Sequence, residues 1–262
     1  MPNDRPRKYI KAVRAATKMQ PSWPPSEHRE LGDVGVFRDG QFERKGTMQS
    51  LFGVEVIPRD APDNNSSYHC DSNGSVQLLS HAAAGVTVAP AADASVVLEF
   101  GRADAVLFRA TGCRTEEIKN IEAVEARMLE LHAQKKWPRD YVVVTEVTHA
   151  SRTTALMSKN RKDRIELRAS ADPGISGLDL LTASGGLSWA GGSVAGLQLL
   201  SEGELTPLYR VRGMVRHLFR DDEPSYLGPD ETEDEQDESD TEWYVDEVSS
   251  AAFDAEEEND AE

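Results

Sequence analysis

The sequence contains few of the residues from which covalent and metal frameworks are built. Its 262 residues include two cysteines, Cys70 and Cys113. Two cysteines cannot form a disulfide framework or a multi-cysteine metal site. The chain has no apolar run of about 18 residues, as an ordinary transmembrane helix requires. Residues 1–19 alternate basic and apolar residues and so differ from a signal peptide. We therefore expect a cytoplasmic protein in a reducing compartment.

Motifs for nucleotide chemistry and hydrolysis are also missing. The chain has no Walker motif and no GxGxxG after a strand pattern, so phosphate-cradling loops are not indicated. The segment Gly186-Leu-Ser188-Trp-Ala190 approaches a nucleophile elbow, but Ala replaces the second Gly and no helical pattern follows. A hydrolase is therefore the third choice of function, and we expect neither an enzyme nor a cofactor.

The possible metal and thiol sites have simpler explanations. His69-Cys70-Asp71 holds three potential ligands in one run, but adjacent side chains of a strand point to opposite faces. A polar loop is the favoured interpretation, and no metal site is predicted. Cys113 follows Gly112 and precedes Arg114. A neighbouring basic residue lowers the pKa of a thiol, so an activated thiol is the alternative interpretation. A structural cysteine is favoured.

Positive charge is absent from the C-terminal part of the chain. From Asp221 to Glu262 there are 20 acidic residues and no Lys or Arg, which leaves 26 acidic against 29 basic residues in the remainder. A block of like charges with few apolar residues cannot offset its ordering entropy by burial. We therefore predict a globular domain over 1–220 and a disordered acidic tail over 221–262. Within the tail, Trp243, Tyr244, Val245 and Phe253 are the candidate anchors on a partner.

The rest of the chain has the patterns of short strands and a few helices. Helical spacing is seen over Lys8–Met19, and a second helix is predicted from an N-cap at Thr115. Gly32–Phe42 has the pattern of a hairpin with Asp39-Gly40 as its turn. Tyr141–Val147 is rich in Val and forms the clearest strand. The predicted class is α+β, with a twisted, mostly antiparallel sheet and a few flanking helices.

Other segments give weaker expectations. Residues 58–75 have the composition of a loop, and Arg212–Arg220 has the pattern of a short terminal helix. Leu180–Ser201 has no charged residue and is rich in Gly, Ser and Leu. It is expected to form a buried strand pair, and lipid-facing strands are the alternative because a membrane strand needs only about ten residues.

A basic cluster is predicted at the tip of a hairpin formed by Ala155–Ser158 and Arg164–Ala169. The cluster consists of Lys159, Arg161, Lys162, Arg164 and Arg168. Such a group can bind anionic lipid headgroups or the phosphates of a nucleic acid. A solvated hairpin end and a docking site for the acidic tail are the other interpretations.

Several of these features occur in the order found in one known family. A cationic amphipathic helix ends in Ala16-Thr17-Lys18, and a long helix precedes Tyr141-Val-Val-Val-Thr-Glu-Val147. A hairpin follows, and then comes Leu205-Thr-Pro-Leu-Tyr-Arg-Val-Arg212. Across residues 8–20 and 115–212 this arrangement resembles the pore-forming domain of gasdermins. The resemblance implies an autoinhibited form, release by a protease, binding to acidic lipids, and assembly of a homo-oligomeric pore.

The leading hypothesis is therefore a gasdermin-like, membrane-binding, pore-forming protein that its acidic tail holds inactive. In that account the tail takes the place of a helical inhibitory domain, and the protein becomes membrane-associated after activation. The alternative is a soluble regulatory or adaptor protein, whose acidic tail binds a basic partner or mimics nucleic acid.

Overall fold

The computed structural model describes eight stretches of the chain: residues 4–61, 66–72, 76–80, 94–169, 187–192, 197–201, 203–218 and 241–248. The helices in these stretches are α1 Arg5–Thr17, α2 Met48–Phe52 and α3 Ile121–Ala133. The strands are β1 Gln20–Pro21, β2 Asp33–Arg38, β3 Gln41–Thr47, β4 Pro58–Asp60, β5 Ser66–Asp71, β6 Val76–Ser80, β7 Ala94–Phe100, β8 Val106–Ile118, β9 Val142–Met157, β10 Arg164–Ala169, β11 Leu187–Gly192, β12 Leu197–Ser201, β13 Leu205–Leu218 and β14 Thr241–Glu247. The predicted α+β class, with a mostly antiparallel sheet and few helices, is confirmed.

The chain divides into two compact units. The first unit comprises Met1–Lys18, Asn65–Cys113 and Ala150–Pro207. The second unit comprises Met19–Asn64, Arg114–His149 and Leu208–Glu262. Strands β8, β9 and β13 each have residues in both units. The boundary predicted near residue 220 falls among residues 219–240, outside the described part of the chain.

The first unit holds a four-stranded antiparallel sheet in the order β11-β10-β7-β6. Strand β5 pairs with β8, and β12 pairs with β9, again antiparallel. The core behind these strands contains buried Leu98, Phe100, Leu107, Leu156 and Ile165. These residues come from separate stretches of sequence, so the core depends on long-range strand pairing.

Helix α1 follows directly from its apolar spacing. Tyr9, Ile10 and Val13 are buried on one face, as predicted for an amphipathic helix. The Tyr9 ring meets Phe108 edge to face at a centroid distance of 6.4 Å. The helix ends at Lys18, which adopts the left-handed conformation and donates its N–H to the Arg14 carbonyl at 2.8 Å. The predicted helix is confirmed, although it begins at Arg5.

In the second unit, strand order runs β1-β13-β9-β2-β3, with β14 also on β13 and β4 on β8. The predicted hairpin is confirmed as β2 and β3. Its turn residues Asp39 and Gly40 both have positive φ, at 51° and 72°, which matches the twist of an antiparallel pair. Helix α3 buries Val124, Met128 and Leu131 against this unit's core.

Two predictions of helix position are wrong. Thr115 is not an N-cap, because β8 continues through it and its buried hydroxyl lies 3.2 Å from that of Thr148. Helix α3 instead begins at Ile121, after Asn120 has accepted the Ile57 N–H on its side-chain oxygen at 2.9 Å. The helix predicted over Arg212–Arg220 is also wrong, since β13 is a strand as far as Leu218.

The composition of residues 58–75 also misled the prediction. Part of the expected loop forms strands β4 and β5, each paired with β8. Within Leu180–Ser201, the described strands do not pair with each other. Strand β11 pairs with β10, and β12 pairs with β9. These segments form strands because they pair with strands that are distant in the sequence. The local composition does not reveal which strands will pair.

Candidate functional site

The basic cluster lies at a turn between two strands that belong to different pairings. The predicted hairpin is wrong, because β9 pairs with β12 whereas β10 pairs with β7 and β11. Residues 158–163 connect the two strands, and we call this segment, together with Arg164, the basic turn. The polypeptide therefore changes direction here without the short-range strand pairing that a hairpin would give.

Two buried side chains fix the conformation of the basic turn. The carboxylate of Asp163 accepts the backbone N–H groups of Lys159 and Asn160, both at 2.7 Å. Ser158 is fully buried, and its hydroxyl accepts the Ala105 N–H at 2.9 Å. The Lys162 N–H donates to the Phe100 carbonyl at 2.7 Å, and the Phe100 N–H donates to the Asp163 carbonyl at 2.9 Å. The turn is thus held from both ends.

The cations of the basic turn fall into two groups. Lys159, Arg161 and Lys162 are exposed, and none of them forms an ion pair with another described residue. Arg164 is also exposed, but its guanidinium binds Glu99, with Nε to Oε2 at 2.6 Å. The side chain of Arg168 lies outside the described residues. The structure therefore presents three cations to solvent, and a fourth is neutralised.

Arg102 is a further cation beside the basic turn that the sequence did not indicate. The Ser158 hydroxyl donates to the Arg102 carbonyl at 2.8 Å, which brings the turn at 101–104 next to residues 158–163. Arg102 is exposed, and its guanidinium donates to the Ser72 carbonyl at 3.4 Å. Arg102 lies in the turn Gly101-Arg-Ala-Asp104, and no sequence pattern links this turn to Ser158, which is 56 positions away.

The aromatic anchors of the acidic segment lie on the second unit. Strand β14 pairs antiparallel with β13, from Arg212↔Glu247 to Leu218↔Thr241. Trp243 and Val245 pack against the core cluster behind α3. The Trp243 ring lies 4.6 Å from that of His132, and the Arg139 guanidinium lies 5.4 Å from its centroid. Phe253 and the neighbouring residues 249–262 lie outside the described residues.

Charged groups connect β14 to β13. Arg210 binds the carboxylate of Glu247, with Nη1 to Oε1 at 2.5 Å, and also reaches Glu146 at 3.4 Å. Burial raises the pKa of Glu146, although Arg210 acts in the opposite direction. Arg212 pairs with Glu125 of α3. One acidic residue of β14 is therefore used to bind the edge on which the strand lies.

His132 has a perturbed pKa next to the Trp243 ring. Burial lowers the pKa of His132 because water is removed from its charged form, and the positive charge of Arg139 lowers it further. The backbone of Trp137 acts in the opposite direction. The imidazole beside Trp243 therefore favours its neutral form.

The other predicted chemistry gains no support from the geometry. Ser188 lies within β11, paired with Arg168, and not at a strand-to-helix turn. Cys70 is buried and donates its thiol to the Ala12 carbonyl at 3.4 Å. Burial raises the pKa of both Cys70 and Cys113 to about 11, the reverse of an activated thiol. In the described residues, no three His, Cys, Asp or Glu side chains are grouped as metal ligands.

Within the described stretches, no helix combines the length and the apolar character needed to cross a membrane.

Comparisons with known proteins give one structural resemblance. No family model matches the chain, and no curated protein matches it. Among solved structures, the chain resembles a bacterial gasdermin from Bradyrhizobium tropiciagri. The two are 16% identical, the match covers 81% of this chain and 88% of that chain, and the TM-score is 0.33. The resemblance is weak, and it falls on the family that the sequence motifs resemble.

Proposed function

We propose that this chain is a membrane-binding, pore-forming protein that attaches to anionic lipid surfaces through the basic turn. In this account it is not an enzyme, and its C-terminal segment holds it inactive until a protease or another trigger releases it. The pore-forming part of the proposal comes from the resemblance of the sequence motifs to gasdermins. The geometry of the basic turn supports the attachment to lipid.

The observation that carries the proposal is the presentation of the basic turn. Lys159, Arg161 and Lys162 are exposed on a backbone that Asp163 fixes by two hydrogen bonds. Arg102 adds a neighbouring exposed cation. Because the backbone is already ordered, binding an anionic surface costs little additional conformational entropy. Each basic side chain near an anionic membrane contributes about 1 kcal/mol.

The test compares two triple variants in sedimentation with vesicles that contain phosphatidylserine. The first variant replaces Lys159, Arg161 and Lys162 with Gln. The second variant replaces the exposed residues Lys119, Lys135 and Lys136 with Gln. Both remove three positive charges, so the net charge of the protein is matched. At about 1 kcal/mol for each cation, the first variant should lose about 100-fold in vesicle affinity.

The loss should be specific to the basic turn and sensitive to salt, because ions screen the attraction. The second variant should bind within about threefold of the unaltered chain, since its cations lie elsewhere. Equal losses in the two variants would show that only net charge matters. Unchanged binding in the first variant would remove the basic turn from the proposal, and a gain for nucleic acid over vesicles would favour the regulatory alternative.

A further inference from the structure

Strand β14 reaches its place through an unusually long connection. Its first residue, Thr241, pairs with Leu218, and the 22 residues 219–240 separate these paired ends. Loops of β-hairpins commonly have two to five residues, and the entropy cost of closing a loop grows with its length. The contacts of the strand itself supply the affinity.

One face of β14 packs on an apolar surface. Trp243 and Val245 are two residues apart, so they point to the same side of the strand, and both pack against the cluster that contains Met128 and Leu131 of α3. The Trp243 ring lies 4.6 Å from the His132 ring and 5.4 Å from the Arg139 guanidinium. A cation at this distance is attracted to the face of an indole ring. The surface thus selects an aromatic residue followed two positions later by an aliphatic one.

The charges of the two strands are complementary. Strand β14 carries Asp246 and Glu247, whereas β13 contains Arg210 and Arg212. Arg210 contacts Glu247 at 2.5 Å, but it also contacts Glu146, and Arg212 pairs with Glu125. Both arginines therefore keep a carboxylate partner when β14 is absent. Departure of the strand therefore leaves neither of them without a counter-charge.

We propose that the edge of β13, together with the C-terminal part of α3, is a recognition site for an extended acidic peptide from another protein. The peptide adds a strand to β13, inserts a Trp between His132 and Arg139, and places an aliphatic residue on the α3 cluster two positions later. Strand β14 is the ligand that the chain supplies itself. This mode of recognition uses main-chain hydrogen bonds for affinity and alternate side chains for specificity. It goes beyond the proposed function, because it requires no membrane.

The tether sets the strength that a competing peptide needs. A ligand that belongs to the same chain as its site is held there at a high effective concentration, about millimolar for a short linker. Since β14 is paired, its intrinsic dissociation constant is of millimolar order or tighter. A free peptide of the same sequence should therefore bind a vacated site with a measurable affinity.

The direct test uses the full chain with Trp243→Ala, which weakens the resident strand. The probe is a fluorescein-labelled synthetic peptide with the sequence of residues 240–248, and fluorescence anisotropy measures its binding. We expect saturable binding with a dissociation constant below about 1 mM. A peptide with Ala in place of its Trp should bind at least about tenfold more weakly. Absence of saturable binding, or equal binding of the two peptides, would overturn the proposal.

The receptor side has a matched pair of variants. Adding Arg139→Ala to the Trp243→Ala chain should weaken the peptide at least about threefold, because the cation beside the indole is removed. Adding Arg127→Ala should have no effect, because Arg127 lies on α3 but pairs with Glu130 at 2.7 Å. Equal responses to the two substitutions would contradict the assigned position of the Trp.

A second measurement uses the unaltered chain and does not depend on the folding of a variant. Several millimolar of the unlabelled peptide should displace β14 and speed up amide hydrogen exchange at residues 241–247. The peptide with Ala in place of Trp should leave that exchange unchanged at the same concentration. If neither peptide changes the exchange of β14, the site does not recognise peptides in trans.

Discussion

At the scale of single residues, the basic turn combines exposed cations with a fixed backbone. Lys159, Arg161 and Lys162 are exposed. Arg164 is bound by Glu99, which is 65 positions away in the sequence. The carboxylate of Asp163 accepts the backbone N–H groups of Lys159 and Asn160 and so orders the turn.

The buried carboxylate of Asp163 gives a prediction at this scale. Asp163→Ala removes the acceptor of two short backbone hydrogen bonds. The free energy of unfolding should fall by about 2–4 kcal/mol, because two backbone N–H groups lose a charged partner. Urea denaturation measures the change. The control is Asn160→Ala at the neighbouring exposed position, which should shift stability by less than about 0.5 kcal/mol. Similar values for both variants would show that Asp163 does not order the turn.

His132 gives a prediction about pH. Its pKa is lower in the folded chain than in the unfolded chain, so the unfolded chain takes up a proton more readily. Its contribution to stability is therefore complete above about pH 6.5 and is lost as the pH falls below that value. Glu146 acts in the opposite direction at lower pH, since its pKa is raised. His132→Asn should make the decline in the free energy of unfolding between pH 7.5 and 5.5 less steep. Identical declines in the two chains would contradict the assignment.

At the scale of elements, local signals predicted local structure. Helix α1 follows from the spacing of Tyr9, Ile10 and Val13, and the β2–β3 hairpin follows from Asp39-Gly40. The sequence predicted helix for parts of the long strands β8 and β13. In β8, residues that favour a helix, such as Glu116 and Glu117, are held in the strand by pairing with β4. Strand β14 lies inside the acidic segment that the sequence predicts to be disordered. Its pairing with β13 depends on Trp243 and Val245, whose packing surface comes from α3.

The anchoring of β14 gives a prediction at this scale. Trp243→Ala removes the ring that contacts His132 and Arg139. The free energy of local opening of the strand should fall by about 1–3 kcal/mol. The half-buried indole stabilises the strand both by burying apolar area and by contacting a cation. Hydrogen exchange at residues 241–247 measures the effect. Asp246→Asn, at an exposed position of the same strand, is the control and should leave exchange nearly unchanged.

At the scale of the whole molecule, the sequence predicted the class of fold and the separation of charge along the chain. The α+β class and the mostly antiparallel pairing are those of the structure. The division into two compact units was not predicted, because each unit combines three separate stretches of the chain. The same property explains why the cations of the basic turn and Arg102 were not connected in advance. The order of strands in a sheet depends on pairing between distant segments, and composition and periodicity do not predict that pairing.

We propose that the C-terminal segment restrains a protein able to permeabilise anionic membranes. The most direct test is dye release from phosphatidylserine-containing vesicles by the full chain with a protease site inserted after Gly228. Before cleavage we expect little release. Cleavage should produce release from anionic vesicles, much less from neutral vesicles, and less again at high salt because the attraction is screened. If the cleaved protein binds nucleic acid but releases no dye, or behaves like the uncleaved chain toward the vesicles, the account is contradicted.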